Sequence, residues 1–226
     1  MDKRKFIFII GMPHAGTTWV NKWLSQHPDL VGHQEINLLS SMLESHHKLI
    51  DRGWFDSMNY KTIQWYCEKL LGFAADRENK KHILVHNCML INWGKEPARV
   101  FPDGYYIVLH RDGRRIAASL KNRRPDIDGE WLTQRWLRQA EIITTGNLPS
   151  RTLVLKYTDL CQDVNKSKEI TDFLGLEHHC DISLDDKVNC SFGEVMPEDY
   201  WKTFLSEKDK EHFGKLDNML NKLGYF

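Results

Sequence analysis

A run of apolar residues near the N-terminus, F-I-F-I-I at 6–10, places the strongest constraint on how this chain can fold. A strand with one face in water alternates apolar and polar residues. An unbroken apolar run that ends at a glycine, here Gly11, is instead typical of a strand buried on both faces of a parallel sheet. Residues 20–26, beyond the following turn, have the apolar spacing of a helix. We therefore predict an α/β fold, a three-layer sandwich with a central, mainly parallel sheet.

The turn between that strand and that helix has the composition of a phosphate-binding loop. Gly11 and Gly16 are five residues apart, as in a Walker A loop, and they leave room for backbone N–H groups to approach an anion at the helix N-terminus. Thr17 and Thr18 add two hydroxyl donors. A Walker A loop has a lysine after its second glycine, where this chain has Thr17, so the sequence does not favour a nucleoside triphosphate as the ligand.

A second phosphate signal follows a later strand. The segment at 105–119 reads Y-Y-I-V-L-H-R-D-G-R-R-I-A-A-S, in which Arg111 follows a buried strand and Ser119 comes eight residues later. A guanidinium group matches phosphate oxygens with two parallel hydrogen bonds. Taken singly, Arg111 has an ordinary interpretation as a surface ion pair and Ser119 as a solvated hydroxyl. Together, after a buried strand, they favour an anion site.

These two segments resemble the nucleotide motifs of sulfotransferases that use 3′-phosphoadenosine 5′-phosphosulfate (PAPS). The turn P-H-A-G-T-T-W at 13–19 is similar to the 5′-phosphosulfate loop of that family, P-K/R-S-G-T-T, and the pair Arg111 and Ser119 is similar to its 3′-phosphate motif. The resemblance implies a P-loop-like turn that binds the phosphosulfate group. It points to the branch that includes the bacterial and the tyrosylprotein sulfotransferases.

The resemblance extends over nearly the whole chain. Y-T-D-L at 157–160 and F-L-G-L at 173–176 are similar to the family's Y-E-D-L and F-L-G-L segments. W-K-T-F-L-S at 201–206 is similar to the stretch that precedes a C-terminal helix, which here would carry Phe213, Leu216, Leu220 and Leu223. We therefore predict a single sulfotransferase domain over residues 1–226.

The resemblance implies in-line transfer of a sulfuryl group from PAPS to the hydroxyl of a small molecule, a carbohydrate or a tyrosine, with a general base and without a metal. It places the backbone of residues 15–18 around the 5′-phosphate, Arg111 and Ser119 on the 3′-phosphate, and Trp19 and Tyr157 at the adenine. The implied cofactor-binding residues are His14, Ala15, Gly16, Thr17, Thr18, Trp19, Arg111, Ser119 and Tyr157.

Two residues compete for the role of general base. Glu35 follows H-P-D at 27–29, a segment that resembles the one in which tyrosylprotein sulfotransferases carry a glutamate that takes the acceptor proton. His86 follows the short strand at 82–85, near the position of the catalytic histidine of cytosolic sulfotransferases, although L-V at 84–85 replaces the usual K-T. Position favours Glu35 as the base, with His86 as base or as stabiliser of the transferring group.

Two departures from the family pattern affect the site. His14 stands where the family has lysine or arginine, so a titrating group replaces a permanent charge, and we expect activity to rise as His14 becomes protonated. His14 is therefore a third candidate catalytic residue. The segment at 189–201 lacks the R-K-G-x-x-G loop that clamps the 3′-phosphate in cytosolic relatives, and Lys187 and Arg115 are the candidates to replace that clamp.

Composition limits the partners and the compartment. The chain has 226 residues, with 31 basic and 31 acidic side chains, so its charge balance predicts neither nucleic-acid binding nor adhesion to a membrane. Its five cysteines are scattered and form no C-x-x-C pair, which favours a reducing compartment, and the cytoplasm is the expected location. The apolar run at 6–10 is too short for a signal peptide or a membrane span.

Two other functions compete with sulfuryl transfer. The first is a P-loop nucleotide kinase, which is disfavoured because no lysine follows Gly16 and no clear Mg²⁺-binding aspartate follows a later strand. The second is a non-catalytic relative that binds PAPS or its product, 3′-phosphoadenosine 5′-phosphate (PAP). His14 and the missing C-terminal clamp favour this second alternative.

The remaining polar and aromatic clusters carry weaker signals. His46 with His47, and the H-H-C cluster at 178–180, are not accompanied by a second pair at metal-ligand spacing, so we predict no metal there. The sequence leaves the acceptor and the oligomeric state open. Five aromatic residues suit either stacking on a sugar or phenol or ordinary helix packing: Trp54, Phe55, Tyr60, Trp65 and Tyr66.

Overall fold

The computed structural model describes residues 3–33, 35–53, 59–163, 165–183 and 199–225. The described residues form five strands: β1 (Phe6–Gly11), β2 (Leu30–His33), β3 (His82–His86), β4 (Tyr105–His110) and β5 (Thr152–Lys156). They make a central parallel sheet in the order β2-β3-β1-β4-β5. The prediction of an α/β fold with a parallel central sheet is confirmed.

Helices cover both faces of this sheet. They are α1 (Thr17–Leu24), α2 (Leu38–Asp51), α3 (Tyr60–Arg77), α4 (Pro97–Val100), α5 (Gly113–Arg123), α6 (Gly129–Thr144), α7 (Tyr157–Gln162), α8 (Asn165–Leu174), α9 (Trp201–Phe204), α10 (Glu207–Gly214) and α11 (Asp217–Lys222), and a 3₁₀ helix spans Cys88–Trp93. The apolar residues of α1, α5, α6 and α8 pack in one cluster, and those of α2, α3 and α4 pack in another. The fold therefore has three layers.

The alternating faces of β1 explain its unbroken apolar sequence. Ile7 and Ile9 belong to the cluster on the α1 side of the sheet, whereas Phe6, Phe8 and Ile10 belong to the cluster on the α2 side. Successive side chains of a strand point to opposite faces. Because helices cover both faces, every residue of β1 is buried.

The C-terminal helix differs from the sequence prediction. The C-terminal apolar spacing predicted one helix, but the chain forms α10 and α11, which are separated at 215–216. Gly214 closes α10, as expected for a residue that destabilises a helix interior. Phe213, Leu216 and Leu220 still pack in one core because the break keeps them on the same side.

The candidate functional residues follow the carboxyl ends of the strands. The chain moves to one side of β1 to form β2 and β3 and to the other side to form β4 and β5, so the strand order reverses at β1. Open α/β sheets bind ligands outside the carboxyl ends of the strands at such a point. The turn after β1, Glu35 after β2, His86 at the end of β3, Arg111 after β4 and Tyr157 after β5 all lie at this edge.

Replacing Gly11 with alanine should destabilise the fold by about 1–3 kcal/mol. Gly11 has a φ of 152°, and a Cβ added to it would lie 2.2 Å from the carbonyl oxygen of Leu109 on the neighbouring strand. Urea unfolding measures the difference. Gly214→Ala is the matched control because a Cβ there meets nothing within 4 Å, and equal losses in the two variants would contradict a specific clash at β1.

Candidate active site

The turn after β1 is closed by its own backbone and by β4. The Met12 N–H donates to the Leu109 carbonyl at 3.2 Å, and the Ala15 N–H donates to the Met12 carbonyl at 3.1 Å. Gly16 is the N-cap of α1, with φ 90°, and it has no side chain with which to cap the first N–H groups of the helix. Those groups and the helix dipole therefore favour an anion at this end of α1.

Gly16 is also required by the close approach of the start of α7 to the turn after β1. A Cβ added to Gly16 would lie 2.6 Å from Cδ2 of Tyr157. The Tyr157 ring in turn lies 6.0 Å from the Trp19 ring in an edge-to-face arrangement. The glycine thus lets the residue after β5 pack directly against the turn after β1.

Arg111 faces the turn after β1. Its Nη1 donates to the His14 carbonyl at 2.9 Å, and its Cζ lies 4.4 Å from the centre of the Tyr157 ring. Its Nε is buried without a hydrogen-bond partner among the described residues. A buried guanidinium N–H without a partner is costly, and a phosphate oxygen is one group that would satisfy it.

Ser119 meets the same turn from α5. This helix begins one residue beyond Asp112, which caps it by accepting from the Arg114 N–H at 2.8 Å. Two turns later the buried Ser119 Oγ lies 2.8 Å from Nδ1 of His14. The structure therefore brings Arg111 and Ser119 together on His14, one on its backbone and one on its ring.

His14 has an unusual backbone and an unusual ring. Its φ of 64° lies in the left-handed region, which costs energy for a residue other than glycine. Burial lowers the pKa of its ring to about 4, and the positive charges of Arg123 and Arg111 act in the same direction. In the protein without an anion, the ring is therefore neutral at neutral pH and does not carry the charge that a lysine would carry there.

Trp19 is part of the core rather than of an open surface. Its side chain is buried, and its indole N–H donates to the Ser183 carbonyl at 2.8 Å. This contact holds α1 against the segment beyond α8. Tyr157 is partly exposed. An adenine contact by either ring stays a prediction.

Glu35, His86 and Cys88 form a second cluster at the same edge. One ligand-type atom from each residue lies within 4.8 Å of those of the other two. His86 Nε2 lies 3.2 Å from Cys88 Sγ, and Cys88 Sγ lies 3.1 Å from Thr17 Oγ1 at the start of α1. The Ile36 N–H donates to the His86 carbonyl at 3.1 Å and fixes the segment that carries Glu35 beside β3.

The members of this cluster differ in their access to solvent. His86 is fully buried, and burial lowers its pKa while Glu35 acts in the opposite direction. Burial raises the pKa of the Cys88 thiol, and the hydrogen bond with Thr17 acts in the opposite direction. Glu35 is exposed, with a φ of 35°. The two candidate bases are therefore neighbours, and the carboxylate is the one that reaches solvent.

Cys88 is the residue that sequence analysis did not assign to the site. The only signal was its position two residues after His86 at the end of a strand. Asn87 turns the chain there, because its side chain accepts from the Met89 N–H at 3.1 Å and donates to Ser40 Oγ at 3.0 Å. This turn directs the thiol back towards α1.

Several other predicted residues have contacts outside the two clusters or lie outside the described residues. The Arg115 carbonyl accepts from the Tyr200 hydroxyl at 2.7 Å. Tyr60 donates to Glu96 at 2.9 Å, and Trp65 and Tyr66 are exposed on α3. Residues outside the described part of the chain are Lys187, Trp54, Phe55 and most of 189–201. Within the described part, no helix is both long enough and apolar enough to cross a bilayer.

These features define an α/β protein with a candidate anion site: a parallel sheet with a glycine-containing turn where its strand order reverses, and an arginine and a serine that face this turn. Residues 7–180 match the sequence profile of a sulfotransferase family. The chain belongs to the sulfotransferase family.

Known relatives agree with this assignment. The chain is 25% identical over 153 residues to the protein-tyrosine sulfotransferase of Drosophila melanogaster, a match that covers 61% of this chain but only 30% of that relative. Its fold is similar to the sulfotransferase domain from the curacin biosynthetic pathway, with a TM-score of 0.63, 15% identity and coverage of 100% and 99% of the two chains. It is also similar to mouse sulfotransferase SULT7A1 complexed with PAP, with a TM-score of 0.61, 15% identity and coverage of 100% and 90%.

Proposed function

We propose that residues 1–226 form one sulfotransferase domain that moves a sulfuryl group from PAPS to an acceptor hydroxyl. The observation that carries the proposal is that Arg111 and Ser119 both contact His14, which supports one adenosine bisphosphate as the ligand of both predicted phosphate sites. Membership of the family supports the reaction type. The neighbour that was solved with PAP supports the donor.

In this proposal the turn after β1 holds the 5′-phosphate. The backbone N–H groups of residues 16–18 and the hydroxyls of Thr17 and Thr18 donate to the phosphate oxygens, while the Ala15 N–H keeps its bond to the Met12 carbonyl. Donors that already point at the leaving group stabilise the negative charge that develops there during transfer. Arg111, with its unsatisfied Nε, and Ser119 hold the 3′-phosphate and so fix the nucleotide for in-line attack.

We assign proton abstraction from the acceptor to Glu35. Its carboxylate is exposed, whereas the neighbouring His86 is fully buried, and Cys88 links their cluster to Thr17 on the proposed phosphate site. A base must lie within hydrogen-bond reach of the proton that it removes. His86 then orients the carboxylate from behind. The Drosophila relative is a protein-tyrosine sulfotransferase, so a tyrosine peptide is the first acceptor to test.

Thermal unfolding with different nucleotides tests the donor, and an assay for transfer tests the reaction. We expect PAP to raise the unfolding temperature and ATP with Mg²⁺ to leave it unchanged, because no lysine follows Gly16. Transfer from PAPS to a tyrosine peptide, a phenol or a sugar should follow. Stabilisation by ATP with Mg²⁺ alone would favour the kinase, and stabilisation by PAP without transfer to any acceptor would favour the non-catalytic binder.

The affinity for PAP should increase as pH falls, because binding makes His14 take up a proton. In the free protein its pKa is lowered to about 4 by burial and by Arg123 and Arg111. The phosphates offset these positive charges, so the pKa rises on binding, and between the two pKa values each pH unit changes the affinity by up to about tenfold. Calorimetric titration of PAP across pH measures this dependence.

His14→Lys is the control for that experiment because its charge does not titrate in the same range. The phosphates of PAP also titrate, with a second pKa of about 6, but this affects both proteins equally. The difference between the two pH profiles therefore isolates the ring. Parallel profiles would contradict proton uptake by His14.

A further inference from the structure

Glu35, His86 and Cys88 offer three different metal ligands from two adjacent strand ends. Glu35 follows β2, His86 ends β3, and these strands are neighbours in the sheet. The carboxylate, imidazole and thiol atoms lie within 4.8 Å of one another. Tetrahedral Zn²⁺ sites bind these three groups at about 2.0–2.3 Å, and sites with three protein ligands keep a fourth position open.

The contacts within the cluster already approach that geometry. His86 Nε2 and Cys88 Sγ are 3.2 Å apart; His86 is the last residue of β3, and Cys88 is the first residue of the 3₁₀ helix. Nε2 is therefore the imidazole nitrogen that faces the thiol and would bind the metal.

We propose that Glu35, His86 and Cys88 form a zinc site and that bound Zn²⁺ inhibits sulfuryl transfer. The thiolate and imidazole select a borderline-soft ion such as Zn²⁺ over Mg²⁺ or Ca²⁺, which prefer oxygen ligands. The ion would bind the Glu35 carboxylate, which we propose as the base that takes the proton from the acceptor. It would also bind Cys88, which contacts Thr17 of the proposed phosphate site. The inhibition rests on the proposed function, whereas the binding rests on the geometry alone.

Cobalt(II) reports on the site without any enzyme assay. We expect one equivalent of Co²⁺, added to the full chain in a buffer with a non-thiol reductant, to give thiolate charge-transfer and tetrahedral d–d absorption that Zn²⁺ then displaces. Cys88→Ser should lose the charge-transfer band. Cys180→Ser is the matched control, because it removes the thiol beside His178 and His179, and it should keep the band. No band in the wild type, or an undiminished band in Cys88→Ser, would overturn the site.

Glu35→Gln provides a second variant at an exposed position, which decides the question if Cys88→Ser fails to fold. Loss of this ligand should weaken Zn²⁺ binding at least about tenfold, because substituting even a residue that only hydrogen-bonds to a metal ligand lowers the metal affinity by that factor. An unchanged dissociation constant would overturn coordination by the carboxylate.

Transfer assays with and without Zn²⁺ test the inhibition. We expect an excess of Zn²⁺ over the measured dissociation constant to lower the transfer rate of the wild type at least tenfold, and a chelator to restore it. Transfer that continues unchanged with the site filled would overturn the inhibition and leave the proposed function intact. If the metal-free protein transfers no sulfuryl group to any acceptor, the proposed function fails, while zinc binding is still decided by the absorption band.

Discussion

Glu35→Gln should lower the rate of sulfuryl transfer by about 10²–10⁴-fold, the range that a general base contributes, while the affinity for PAP stays nearly the same. Glutamine keeps the shape of glutamate but cannot accept the acceptor proton. Glu35 is exposed, so the exchange leaves the core intact. Single-turnover rates with PAPS already bound measure the chemical step separately from binding.

Glu44→Gln is the matched control for this variant. Glu44 is another exposed glutamate, on α2, and it forms an ion pair with Lys48 of the kind that contributes little to stability. Its loss should leave the transfer rate unchanged. If Glu35→Gln keeps the wild-type rate and His86→Asn loses it, the proton is taken by His86 and our assignment is wrong.

The fold was predictable because its main signals are local. An unbroken apolar run predicts the burial of β1 on both faces, and the spacing of Gly11 and Gly16 predicts the turn after it. The separation of α10 from α11 was not predictable from apolar spacing, since Phe213, Leu216 and Leu220 keep a helical period across the break. Periodicity reports which face is buried and not whether the backbone is continuous.

Sequence motifs could select most of the candidate site residues but could not predict their contacts. Arg111 and Ser119 could be chosen by their motif, yet the bond between Ser119 and His14 joins residues 105 positions apart, and no local pattern encodes it. The same holds for Glu35 and His86, which sequence analysis treats as alternatives and the sheet places side by side. Cys88 has no motif, and only the turn at Asn87 brings its thiol to Thr17.

Arg111→Lys should weaken PAP binding by about 10–100-fold, because one charge-assisted hydrogen bond is worth about 1.5–3 kcal/mol. Lysine keeps the charge but loses the planar fork, the bond to the His14 carbonyl and the stacking on Tyr157. Calorimetric titration measures the loss. Arg124→Lys, at an exposed position just beyond α5, is the matched control and should bind PAP as the wild type does.

Adenosine 5′-phosphate separates the two ways in which Arg111 could act on the nucleotide. This ligand lacks the 3′-phosphate, so a guanidinium that binds the 3′-phosphate contributes nothing to its affinity, and the wild type and Arg111→Lys should then bind it equally. If Arg111 acts only through its bond to the turn at His14, Arg111→Lys should lower the affinity for both ligands by the same factor. Equal losses of affinity for the two ligands would therefore show that Arg111 does not bind the 3′-phosphate. The structure would then give no reason to prefer an adenosine bisphosphate over another nucleotide with a 5′-phosphate.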